Sequence, residues 1–155
     1  MRTPRSRLPK DFSLEDRLAG CARAVERDPE AWRGKWHAWE PAVGRNNASS
    51  TFPERRTSYE RIILDLGCGK GECTVACAKL QPDTLYIGLD VEGVCVMRGA
   101  ELALAEGVSN AVFVWADDPD LTTLFAPDEV DGILMNFPTP FPKKKKAHLR
   151  LTSIG

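Results

Sequence analysis

Four acids and three glycines between residues 65 and 118 carry the first chemistry of this chain. "LDLGCGKGE" sets Gly67, Gly69 and Gly71 directly after an apolar run, with Asp65 two residues ahead of Gly67. Glycines at that point let the backbone turn tightly and approach a ligand closely, and the N–H groups of a following helix point at its anionic part. Asp90 closes the next apolar run, twenty-one residues after Gly69, the separation at which a dinucleotide-type fold sets its ribose-binding acid. Asp117 and Asp118 close the run after that and could accept from the exocyclic amine of an adenine. The loop is not the nicotinamide fingerprint G-x-G-x-x-G, because its third glycine comes one residue early and Glu72 follows.

Asp65 is awkward beside a pyrophosphate and well suited to an ammonium group. A carboxylate accepting ribose hydroxyls gains roughly 1.5–3 kcal/mol per charged hydrogen bond. Acids at three successive strand ends therefore favour a ligand with an amine, a ribose, an adenine and net positive charge, which fits S-adenosylmethionine and not NAD. The competing reading makes the same acids helix caps.

A second stretch, "NFPTPFPKKKKAH" from Asn136 to His148, follows the last apolar run with prolines, aromatics and four consecutive lysines. A lysine run is usually a solvated face; after a strand that reaches a ligand site it reads as a phosphate-binding ledge.

The elements that must position these residues alternate. "IILDL", "TLYIGLD", "AVFVWA" and "VDGILMNF" are apolar enough to be buried on both faces, and helical segments separate them. This predicts an α/β, doubly wound, mainly parallel sheet of about four strands with helices on either side and the ligand at the carboxyl ends of the strands. Residues 61–155 form this unit, and 1–60 form a helical arm and linker. In the arm, "DFSLEDRLAGCARAVE" predicts a helix. "DPEAWRGKWHAWE" predicts a second, capped by Asp28, with Trp32, Trp36 and Trp39 on one face anchoring the arm to the core. The final strand lacks the charges or proline that protect a sheet edge, so a partner copy or further chain beyond Gly155 is expected to cover it.

Charge is segregated beneath a net of -1. Residues 1–61 hold thirteen basic and nine acidic side chains, 62–140 three and thirteen, and 141–155 five and none. An acidic middle with basic ends suits a cationic ligand flanked by polyphosphate. No apolar run has the length of a membrane span. The basic first ten residues lead into no apolar stretch, so a cytoplasmic location is expected rather than secretion, with a short transit segment as the alternative. Cys21, Cys68, Cys73, Cys77 and Cys95 match no zinc or iron–sulfur spacing, so reduced thiols and no metal are expected.

From "RGKWHAW" through "LDLGCGKGE", "YIGLD", "NFPTPFPKKKK" and "RLTS", the chain resembles the tRNA (guanine-N7)-methyltransferase family of Rossmann-like class I methyltransferases. The resemblance implies S-adenosylmethionine as cofactor, tRNA as partner and transfer of a methyl group to N7 of the variable-loop guanine. In the family the acids matching Asp65, Asp90 and Asp117 bind that cofactor, and Gly67, Gly69 and Gly71 of the loop, with Asp118 and Asn136, are expected beside them. The family lysine matching Lys143 contacts the target and the stretch matching Lys145 to Arg150 contacts tRNA, so Lys143, Lys144, Lys145, Lys146, His148 and Arg150 are together expected to form the phosphate-binding ledge. Thr139 stands where the family has its active-site aspartate, Phe141 where it has tryptophan, and Lys145–Lys146 where it has arginine–histidine. Because threonine cannot offset a cationic base, a catalytically weak or inactive tRNA- or cofactor-binding relative is the alternative. The family's further strands, with another aspartate and a T-x-x-E segment, do not occur in these residues, so an incomplete chain is expected.

Overall fold

The computed structural model describes residues 8–41, 58–117 and 119–136. Its strands are β1 (Val25–Glu26), β2 (Arg61–Leu66), β3 (Thr84–Asp90), β4 (Ala111–Trp115) and β5 (Gly132–Leu134). Its α-helices are α1 (Leu14–Gly20), α2 (Glu72–Leu80), α3 (Gly93–Ala105) and α4 (Leu121–Leu124). The strands form one sheet in the order β1-β4-β3-β2-β5, and every pairing is parallel.

That order explains where a ligand can bind. Two crossovers, β2 to β3 and β3 to β4, step in the same direction, so α2 and α3 lie on one face, where α1 joins them. The chain then returns past β2 to add β5 on its far side, with α4 on the opposite face. The reversal makes the carboxyl ends of β2 and β5 the topological switch point of a Rossmann-like α/β sheet. Asp65 and the glycine loop end one of these strands, and Asn136 follows the other.

Strand side chains divide by the period of two. Ile62, Leu64, Leu85, Ile87, Val112 and Val114 pack on the α4 face with Trp36, Trp39 and Phe125. On the other face Asp65, Gly88 and Phe113 form one cross-strand row. Phe113 is fully buried against Gly71, Gly88 and Gly99, each of which leaves room for its ring only because it has no side chain.

Three expectations need correction. The described sheet has five strands rather than about four, because Val25–Glu26 leaves the expected first helix and pairs with β4. That helix stops at Gly20, held at its start by Ser13 Oγ accepting from the Asp16 amide, with a single 3-10 turn after it. The second expected helix is two 3-10 turns, Pro29–Trp32 and Trp36–Ala38, and Asp28 makes no side-chain cap. Gly34 between them sits at φ 77° and breaks the helical path. Trp36 and Trp39 nevertheless anchor the arm to the core as expected, buried to 0% and 1% exposure.

Two buried carboxylates perform the anchoring. Glu129 accepts from the amides of Gly34 (2.8 Å), Trp36 (2.9 Å) and Ala126 (2.8 Å). Glu26 accepts from the Asp28 amide (2.8 Å) and the Trp39 indole (2.9 Å), while the Trp36 indole donates to the Leu124 carbonyl (2.8 Å). A carboxylate holding several N–H groups satisfies backbone that the broken helix leaves without partners.

Candidate functional site

β2 delivers Asp65 to the switch point and the chain turns at once through Gly67, Gly69 and Gly71, with φ of 72°, 58° and 75°. Gly67 and Cys68 donate their amides to the Leu89 carbonyl at 2.8 and 3.1 Å, which lays the loop across the end of β3. Asp90 fixes it from the side: one carboxylate oxygen accepts from the Gly69 amide (2.8 Å) and the other from the Glu92 amide (2.9 Å). Asp90 therefore ties the glycine loop to the start of α3. Each of its oxygens keeps a second lone pair for an outside donor.

Asp65 lies deeper and is fully buried. Its Oδ2 accepts from the Thr74 hydroxyl at 2.7 Å, while Oδ1 is buried with no hydrogen-bond partner among the described residues. Burial pushes its pKa up from the ordinary 3.8, the Thr74 hydrogen bond lowers it and the Asp90 charge raises it. No lysine or arginine among the described residues contributes to that balance. A carboxylate so placed carries an open demand for a cationic donor. α2 begins one residue past the loop, and the N–H groups of its first turn face the same end of the sheet.

The far side of the site is formed by the second residue after β5. Asn136 is exposed, and its carboxamide donates to Cys73 Sγ at 3.2 Å. Cys73 lies 3.9 Å from Cys77 along α2. All five cysteines are free thiols, and burial raises the pKa of Cys21, Cys68, Cys73 and Cys95. Asp117 is exposed just past β4, where the Ala116 amide donates to the Asp90 carbonyl.

Of the residues singled out from the sequence, Asp65, Gly67, Gly69, Gly71 and Asp90 thus converge, with Asn136 opposite and Asp117 two strands away. Asp118, Thr139, Phe141, Lys143, Lys144, Lys145, Lys146, His148 and Arg150 lie outside the described residues. Two neighbours of the site were not singled out for it: Thr74, and Cys73, which was read only as a reduced thiol. Their signal was position, since the residues opening a helix after a strand-end glycine loop face that strand's last acid. No group of three or more metal-ligating side chains occurs among the described residues, and none of their helices is long and apolar enough to cross a membrane.

A family model described as "Putative methyltransferase" matches residues 59–154. The chain is 34% identical over 143 residues to a tRNA (guanine-N(7)-)-methyltransferase of Cytophaga hutchinsonii, covering 92% of this chain and 58% of that protein. It is 32% identical over 146 residues to the protein of that name from Streptococcus thermophilus, covering 94% and 61%. Over 92 residues it is 44% identical to the Christiangramia forsetii protein of that name, covering 59% and 41%. The chain thus spans between about two fifths and three fifths of the length of these relatives.

Proposed function

The chain belongs to the methyltransferase family that its residues 59–154 match, and from that premise we propose that it forms the cofactor-binding part of a tRNA (guanine-N7)-methyltransferase that uses S-adenosylmethionine. The observation that carries the reading is Asp65, buried at the switch point of the sheet and with one oxygen unbonded among the described residues. This residue fits the cofactor's ammonium group.

The other groups suit the remaining parts of the same molecule. The amides opening α2 suit its carboxylate, and Asp90 suits the ribose hydroxyls with the lone pairs that Gly69 and Glu92 leave over. Asp117 suits an adenine amine. When bound, S-adenosylmethionine supplies an electrophilic methyl group on a sulfonium centre. Because guanine N7 already presents a lone pair, the protein's residues need to align, desolvate and stabilise rather than remove a proton. Asn136 offers a carboxamide beside the cofactor end of β2, and the proline-rich segment after it suits a rigid base-entry loop. Lys143 to Lys146, His148 and Arg150 suit contact with tRNA phosphates, a salt-sensitive and sequence-independent source of affinity. Charge segregation supports this, since five basic and no acidic residues follow position 140.

The test is formation of 7-methylguanosine in tRNA by protein expressed from the whole reading frame. Recovery of that nucleoside from digested tRNA is expected; its absence from every tRNA tried overturns the reading. A second reading, binding without efficient transfer, is favoured by Thr139 at the position of the family aspartate. Thr139→Asp separates the two. A large gain in turnover supports lost catalysis, and an unchanged rate shows that threonine suffices.

A further inference from the structure

We propose that Thr74 is the positioning residue of the ligand site: its hydroxyl holds one oxygen of Asp65 and so commits the other, buried and without a partner among the described residues, to the ammonium group of the ligand. This rests on the proposed cofactor reading and adds to it a residue that the sequence motifs do not contain.

The geometry comes from two elements joined by the glycine loop. Asp65 is the fifth residue of β2 and Thr74 the third of α2, and both are at 0% exposure. The hydroxyl donates to Oδ2 at 2.7 Å, a short charge-assisted bond in a dry setting. A terminal carboxylate torsion is broad and nearly two-fold, so an unheld Asp65 could turn either oxygen toward the ligand or swing away. With Oδ2 held, Oδ1 is the oxygen left with both acceptor positions open among the described residues. The same bond helps keep the group ionised against the desolvation that favours its neutral form. The titratable groups around Asp65 are Asp90 at the end of β3, Cys68 in the loop and Cys73 on α2. Ionised, each of them disfavours a charged Asp65. Among the described residues, Thr74 is the contributor to its titration that opposes them.

Thr74→Val keeps the shape and removes the hydroxyl; Thr74→Ser keeps the hydroxyl and removes the methyl. Two readouts apply. In the free protein, the Asp65 carboxyl is titrated by carbon-detected NMR: Thr74→Val raises its pKa above that of the wild type, and Thr74→Ser leaves it near the wild-type value. With S-adenosylhomocysteine as the calorimetric probe, Thr74→Val binds about tenfold or more weakly at neutral pH. Its affinity also begins to fall at a higher pH as the solution is acidified, and Thr74→Ser restores both. Equal titration and equal binding in wild type and Thr74→Val overturn the proposal. Raised titration in Thr74→Val with no binding by any protein, wild type included, overturns the cofactor reading instead and leaves Thr74 as the residue that orients and ionises Asp65. Loss of binding in Thr74→Ser equal to that in Thr74→Val, with titration unchanged in both, assigns the effect to packing and also overturns the proposal.

Discussion

A methyl group on Gly71 would lie 2.7 Å from the ring of Phe113 and 2.6 Å from the Cα of Gly99, so the third glycine of the loop is a packing residue as much as a turn residue. At Gly69 the same methyl group would meet nothing within 4 Å among the described residues. Both residues have positive φ. Gly69→Ala is therefore expected to cost roughly 1 kcal/mol of backbone strain. Gly71→Ala adds a clash with backbone and a buried ring and is expected to cost about 3 kcal/mol or more. Urea unfolding of the two variants checks the difference; equal costs would show that the loop relaxes away from Phe113.

Glu129 holds the arm through three backbone amides. In Glu129→Gln an NH2 group must face at least one of these N–H donors, and a loss of about 2 kcal/mol is expected. The change should shift tryptophan fluorescence, because Trp36 is among the residues released. A variant with wild-type stability and spectrum would mean that the amides find other acceptors.

Asp65 should oppose stability while serving binding. Its pKa is raised on folding, so the folded state binds the proton more tightly than the unfolded chain does. Relative to Asp65→Asn, the wild type is then expected to be most stable below the ordinary 3.8 and to lose that advantage as the pH rises through the folded value. At pH 7, Asp65→Asn should unfold at an equal or higher urea concentration. A clear loss of stability at pH 7 would mean that the charge has a partner.

Neutralising Lys143 to Lys146 is expected to lower the slope of log affinity for tRNA against log salt by roughly three. Binding of the cofactor product should not change. An unaltered slope would return the run to a solvated surface.

The strand ends and the glycine loop were legible in the sequence because their signals are local: apolar runs, an acid at or within two residues of each run's end, and glycines where φ turns positive. The arm was not. Trp32, Trp36 and Trp39 have helical spacing, yet Gly34 interrupts the helix and Glu129, more than ninety residues away, takes up the amides so released. β1 was hidden for a similar reason, since Val25 and Glu26 are strand only through pairing with Phe113 and Val114. Thr74 became visible once its helix was placed against β2. Its role depends on where a hydroxyl points, and no spacing rule records that.

The most direct measurement is a calorimetric titration of S-adenosylmethionine into folded wild-type protein and into Asp65→Asn. Saturable heat at one equivalent with the wild type and none with the variant is the predicted result. No heat with well-folded wild type, or the same isotherm for both proteins, would contradict the assignment of the buried carboxylate to the ammonium group.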